Sequence, residues 1–400
     1  MDWSQVTALT IPEGNVEQVS VNGVVLWRKS LSPSDYTQLE YIESTGTQWI
    51  DTGIATSNDD LGFMLEAMPL TSADVYPMGS RATNGGTRFF GVRSQSSDTF
   101  SYGWSGYLRA TASQSYVNVR TTMSLNWLNS KKVTIGDDSN DLATVNIANG
   151  RNITLFGVNG QLLWTGRIYR AKISEGNEII ADLIPVMRNS DGKVGMHDTV
   201  TGQFFTNAGT GEFIAGPRFV EYIEFDGNSW IDTGFTQQTC RIEFGVEFIN
   251  HNNNNAVQLM GFHVSNAGFW GIKFKGGMFY PYLNVNPYQY NDVILNLDAT
   301  DTKKPVLTLT IGDTTGSQLV GSTVQTKTTY VMGGVKYGSN INYNNFMKVH
   351  YNRIYNANNE LIQDLRPCLD PNNVACMYDM VTGTYFYNQG TGEFQYGGIL

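Results

Sequence analysis

The chain has 400 residues and a net charge of −10, with 21 Tyr, 20 Phe and 42 Gly. That acidic balance excludes a nucleic-acid partner, whose phosphates demand a basic surface, and disfavours anionic membranes. No apolar run nears the ~20 residues of a bilayer-spanning helix, and three cysteines, Cys240, Cys368 and Cys376, make no disulfide framework.

The opening "MDWSQVTALTIPEGN" has neither the basic nor the apolar segment of a signal peptide. The expectation is a protein made in the cytoplasm. Within residues 1–33, "TALTIP", "VEQVSV" and "VVLWRK" read as three short strands, with Asn22-Gly23 as a hairpin turn. Such an arm is too small to hold itself folded. Its Val24, Leu26 and Trp27 therefore need a surface, either the domain that follows or another protein. "SLSPSD" (30–35) reads as a linker.

Beyond it the chain repeats. "YIESTGTQWIDTG" at 41–53 returns as "YIEFDGNSWIDTG" at 222–234. "GMHDTVTGQFFTNAGTGEF" (195–213) returns as "CMYDMVTGTYFYNQGTGEF" (376–394), identical at 12 of 19 positions. Both recurrences lie 181 residues apart, whereas interior matches wander. Thr134-Ile135-Gly136-Asp137 meets Thr310-Ile311-Gly312-Asp313 at 176, and Arg167-Ile168-Tyr169 meets Arg353-Ile354-Tyr355 at 186. Locked ends and drifting loops predict a duplicated domain, 38–215 and 219–398.

The local grammar is β. "GFMLEAMPL" and "RIEFGVEFIN" alternate apolar and polar positions, aligning Phe63 with Phe244 and Glu66 with Glu247. "KKVTIGD" and "PVLTLTIGD" are short β-branched runs closed by Gly-Asp, and at most a helical turn fits "ADLIPVM" or "IQDLRPCL". The fold class is all-β: two tandem antiparallel β-sandwiches preceded by a short β-hairpin arm. In the repeated phrase, Gly46 and Gly227 make the turn, and Asp51-Thr52-Gly53 and Asp232-Thr233-Gly234 end the second strand. Trp49 and Trp230, with Ile42 and Ile223, plug the sandwich.

Those phrases resemble a known family. "VEYIEFDGNSWIDTG" is similar to the first hairpin of the concanavalin-A-like, laminin-G-like jelly rolls, although the first copy has Ser44-Thr45 where the second has Phe225-Asp226. The closing "D-x-V-T-G" hairpin resembles the last one of such domains in bacteriophage and prophage structural proteins, and "IPEG…NG-V-V-L-W" resembles N-terminal segments of virion proteins. The resemblance implies a non-enzymatic tail or head fibre or receptor-binding protein, located in the virion and released by lysis. Its partners would be other virion proteins, met through the arm with Val24, Leu26 and Trp27 as anchor, host polysaccharide, and further copies of itself, a trimer being common among such fibres.

Candidate chemistry is sparse. Some folds of this kind are glucanases with three carboxylates alternating on one strand. Glu221, Glu224 and Asp226 approach that pattern, but Gly227-Asn228-Ser229 follows without a third acid, and the first copy has only Glu40 and Glu43. The four histidines show no metal spacing, and His197, aligned with Tyr378, reads as a packed ring. No cofactor is expected. Calcium has one candidate loop, "GDDSND" (136–141), against a Gly-Asp turn that needs no ion. For a glycan the densest platform is "MFYPYLNVNPYQYN", with Tyr280, Tyr282, Asn284 and Asn286 on one face of a strand; "FSYGWSGYLRA" supplies Tyr102, Trp104 and Tyr107 in the first half. Those rings either stack on sugars or fill the sandwich. The rival functions are a glycoside-cleaving enzyme with one catalytic and one binding sandwich, and a bacterial surface adhesin.

Overall fold

The structure is a computed structural model; it describes every residue except 1–17, 22–23, 29–34, 73–74, 83–88, 95–98, 103–107, 112–114, 143–147, 237, 251–256, 265–267, 276–277, 281–290, 299–305, 312, 320–328, 338–339 and 344–345. It divides into two compact units, Met1–Gly216 and Pro217–Leu400.

In the first unit the larger sheet runs Asp138–Asp141, Lys132–Ile135, Thr121–Leu125, Leu61–Pro69, Thr165–Glu175, Glu178–Arg188, Val194–Asp198 and Phe204–Phe205. The smaller runs Leu108–Thr111, Thr99–Tyr102, Phe89–Ser94, Val75–Arg81, Asn152–Leu155 and Ile50–Ala55. Alternate residues of each sheet point at the other, as the two-residue period of a strand dictates. Phe63, Leu65 and Ala67 of one sheet thus share a core with Met78, Phe90, Val92 and Ile153 of the other. Each of these side chains except Ala67 is worth about 1.5–3 kcal/mol fully buried.

The second unit repeats this plan. Its larger sheet runs Thr314–Leu319, Val306–Ile311, Asn291–Asp298, Cys240–Asn250, Phe346–Tyr355, Leu361–Leu369, Ala375–Asp379 and Tyr385–Phe386. The smaller runs Ile231–Thr236, Thr329–Met332, Val257–Val264, Gly268–Lys275 and Met278–Tyr280. All pairings are antiparallel among the described strands except one, where Gly334–Tyr337 lies parallel to Val257–Val264. Ile242, Phe244, Val293 and Leu309 meet Ile231, Tyr330 and Met332 in the core.

First and last hairpins hold together, which explains their common offset. Asn207 accepts the Trp49 N–H at 3.1 Å while Ala208 donates to the Trp49 carbonyl at 2.8 Å. Asn388 and Gln389 treat Trp230 in the same way, at 3.0 and 2.9 Å. Thr210 and Thr391 donate to Thr47 and Asn228. An insertion at either end would break this docking, whereas the interior turns carry no such constraint.

Several local expectations are corrected. Trp49 and Trp230 are half-buried rather than plugs; among the described residues of the first unit the fully enclosed indole is Trp164. The Asp-Thr-Gly triplets do not end strands. They form a bulge inside Ile50–Ala55 and Ile231–Thr236, with Gly53 and Gly234 both at φ +71°. Thr52 and Thr233 reach through the bulge to the carbonyls of Ile153 and Tyr330, at 2.7 and 2.8 Å.

"ADLIPVM" and "IQDLRPCL" are strand throughout. Pro185 and Pro367 are tolerated because their missing N–H faces the short edge strands Tyr36–Gln38 and Arg218–Phe219. Only their carbonyls are needed there, accepting from Leu39 and Val220.

Strand register also corrects the residue alignment of the halves. Ile42 pairs with Ile168 and Ile223 with Val349, so Arg167 corresponds to Lys348, not Arg353. Through the next strand, Ala171 faces Leu65 and Asn352 faces Phe244, so Phe244 corresponds to Leu65, not Phe63.

Candidate functional site

The arm contributes Gln18–Val21 and Val24–Arg28, an antiparallel hairpin that forms its own two-stranded sheet. Val24, Leu26 and Trp27 lie on its second strand, Trp27 opposite Val19. The proposed first strand, "TALTIP", falls outside the described residues.

The described strands at the start of the two aromatic stretches occupy corresponding places. Thr99–Tyr102 pairs with Phe89–Ser94, and Met278–Tyr280 pairs with Gly268–Lys275, each strand lying toward the same end of its smaller sheet. Tyr102 closes the first of these strands and Tyr280 the second. Trp104, Tyr107, Tyr282, Asn284 and Asn286 fall outside the described residues.

The acid rows lie on the outer face of the larger sheets, because Ile42, Ile223 and Phe225 take the inward positions of their strands. In the first unit Arg120 binds Glu40 and Glu66 at 2.5 and 2.6 Å, and Arg167 binds Glu43 at 2.7 Å. Both guanidiniums also cover tyrosines, Arg120 over Tyr169 at 4.0 Å and Arg167 over Tyr41 at 4.4 Å. Burial pushes the Tyr169 hydroxyl up to about 12 and raises Glu40, against the pull of Arg120.

In the second unit Glu224 faces Lys348, whose ammonium reaches Glu247 at 3.2 Å and lies 4.8 Å from the Tyr222 ring. Glu221 accepts from the Gly398 N–H at 3.2 Å, and Asp226 accepts from Asn228 at 2.9 Å within its turn. These carboxylates are matched by cations or hold backbone; Arg120 could not be read as a partner from the chain alone, because it lies 54 and 80 residues from its acids.

The "GDDSND" acids diverge. Asp137 occupies the turn, Asp138 meets the Tyr116 hydroxyl at 3.3 Å, and Asp141 approaches Lys132 at 3.9 Å. Among the described residues no three His, Cys, Asp or Glu side chains gather as a metal site.

His197 packs against Tyr36 with ring centroids 4.3 Å apart and planes tilted by 39°, and burial lowers its pKa below the ordinary 6.5. The fold thus favours the neutral ring. Its contribution to stability is complete above pH 6.5 and is lost as pH falls below that value toward the folded pKa, by at most about 1.4 kcal/mol per pH unit for one proton. Asp191, held down to about 2 by Arg188, begins to lose its contribution only below its ordinary 3.8. Thermal melts between pH 7 and 5 should show the first unit weakening in acid, and His197→Tyr, the residue found at Tyr378, should flatten that slope. An unchanged slope in the variant would contradict the assignment.

No protein-family model and no curated protein matches the chain. Solved structures do. The chain is similar to mouse laminin alpha1 domains LG4-5, at 9% identity and TM-score 0.32, covering 98% of this chain and 99% of that one. It is similar to the LG1-3 region of the laminin alpha2 chain, at 10% identity and TM-score 0.43, covering 90% and 68%. A Bacteroides ovatus protein whose description proposes carbohydrate binding matches at 9% identity and TM-score 0.33, covering 92% and 94%.

Proposed function

We propose that this chain is a non-enzymatic, glycan-binding component of a bacteriophage particle, attached through its N-terminal arm and presenting two sandwiches outward. The observation that carries the non-enzymatic part is the state of the acid rows. A glycosidase needs one carboxyl free to protonate a leaving group and another free as base or nucleophile, across a cleft. Here Glu40, Glu43 and Glu66 are tied to arginines on an outer sheet face, and Asp226 caps a turn. The separate Gln18–Arg28 hairpin supports the role of the arm, since a two-stranded sheet alone is marginal and gains from a docking partner. The "D-x-V-T-G" and "IPEG" resemblances support the phage context.

Glycan recognition is assigned to the tyrosine-rich stretches on the strength of their rings and amides. The reading is supported by their described strands, Thr99–Tyr102 and Met278–Tyr280, taking matching positions in the two smaller sheets. Trp104→Ala and Tyr282→Ala should each weaken binding to host polysaccharide by ~1–2 kcal/mol, about one stacked ring, while both melts stay unchanged. Full binding by both well-folded variants would contradict that location. Deleting residues 1–30 should abolish incorporation into particles, and normal occupancy of the truncated chain would refute the anchor.

A further inference from the structure

We propose that Cys368 and Cys376 are a disulfide site, closed by thiol–disulfide exchange with a low-molecular-weight disulfide such as oxidised glutathione. The two sulfurs lie 3.5 Å apart, both fully buried, and the residues are directly opposed across the Leu361–Leu369 and Ala375–Asp379 strands. The Met380 N–H bonds the Asp364 carbonyl at 2.9 Å, and stepping by twos along the ladder makes Cys368 and Cys376 a hydrogen-bonded pair as well. Opposed Cα atoms in such pairs sit about 5.5 Å apart, inside the range a disulfide spans.

The connecting turn holds this register. Asp370 accepts the N–H groups of Asn372 and Val374 at 2.9 and 2.8 Å through one oxygen, and the Tyr387 hydroxyl at 3.0 Å through the other. Nothing in the shared frame requires sulfur here, because the corresponding pair in the first unit is Val186 and Gly195. The second unit carries both cysteines together. Cys240, the remaining thiol, lies at the start of another strand, opposite Leu297.

The step balances as two exchanges. One protein thiolate attacks a sulfur of the small disulfide, expelling a small thiolate and leaving a mixed disulfide. The second protein thiol gives up its proton and attacks the protein sulfur of that mixed disulfide, expelling the other small thiolate. Two protein thiols are oxidised, one small disulfide is reduced to two thiols, and the two protons end on the leaving groups. Burial drives the Cys368 thiol well above its ordinary pKa, so the closed hairpin reacts slowly and the bond forms while the hairpin assembles or opens.

The test refolds the full chain in a glutathione redox buffer, quenches with an alkylating agent and maps peptides without reduction. The expected product is a linked Cys368–Cys376 peptide, with Cys240 alkylated as a free thiol. The oxidised second unit should melt about 5 °C above its reduced form, while the cysteine-free first unit does not move. Cys368→Val should remove both the linked peptide and the shift, and Cys240→Ala should keep both. Three freely alkylated thiols after oxidative refolding, or preferential linkage through Cys240, would overturn the proposal.

Discussion

Asp198→Ala and Asp379→Ala should each destabilise its own unit by about 3 kcal/mol, the scale of several hydrogen bonds to one buried charged acceptor. The two aspartates open the repeated "D-x-V-T-G" turns and are 2% and 1% exposed. Asp198 accepts the N–H groups of Asp182 and Val200 at 2.8 and 3.0 Å, and the Thr201 hydroxyl at 2.6 Å. Asp379 makes the same three contacts with Asp364, Val381 and Thr382, at 2.8, 3.1 and 2.7 Å. Alanine leaves all three donors without that acceptor in a place water barely enters. The loss corresponds to roughly 10 °C in the melting of the affected unit. Asparagine retains one acceptor oxygen and should cost less. Calorimetry of the full chain would show which unit moves; a change below about 1 kcal/mol in both variants would contradict this reading of the turn.

The second large effect lies in a polar patch in the core of the second unit. Asn352 and Tyr330 are both fully buried, with Cys240 close by at 5% exposure. Strand register places apolar Ala171, Ile153 and Leu61 at the corresponding positions of the first unit. The Asn352 amide faces the Tyr330 hydroxyl outside good hydrogen-bond geometry, and both its polar atoms are enclosed.

Tyr330→Phe takes the hydroxyl away from the enclosed Asn352 amide and should cost about 2 kcal/mol. Tyr330→Phe with Asn352→Leu removes both demands at nearly constant volume and should return to within about 1 kcal/mol of the parent. Denaturant unfolding of the single and double variants measures the coupling. Strict additivity would show that the two groups do not act as a pair.

The sequence made the frame visible because its ends are tied to each other. Asn207 and Asn388 hold the Trp49 and Trp230 backbones, so neither terminal hairpin could drift, and the 181-residue offset survived at both ends. Interior register was not legible. The strands Thr165–Glu175 and Phe346–Tyr355 keep the terminal offset and share a bulge, at Tyr169 and at His350, but their partner strands do not keep the offset, because the connection before Leu61 is two residues longer than the one before Cys240. Their exit turns differ too, Glu175 facing Glu178 directly while Tyr355 faces Leu361 across a longer loop. The "Arg-Ile-Tyr" spelling therefore matched residues that do not correspond.

Trp49 misled for a different reason. Size and apolarity suggest a core plug, yet the neighbouring buried position belongs to Gln48, 3% exposed, whose amide oxygen accepts from Ser44 at 3.0 Å and from the Thr45 N–H at 2.9 Å. The acids of the candidate site were legible as residue types. Their arginine partners were not, because Arg120 meets Glu66 and Glu40 only once segments 54 and 80 residues away along the chain lie beside it.

The most direct test of the central claim is one incubation of the full chain with host surface polysaccharide, scored for retained protein and for released reducing ends. The account predicts retention without release, from the parent and from Glu224→Gln alike. Reducing ends released by the parent and abolished in Glu224→Gln would contradict it.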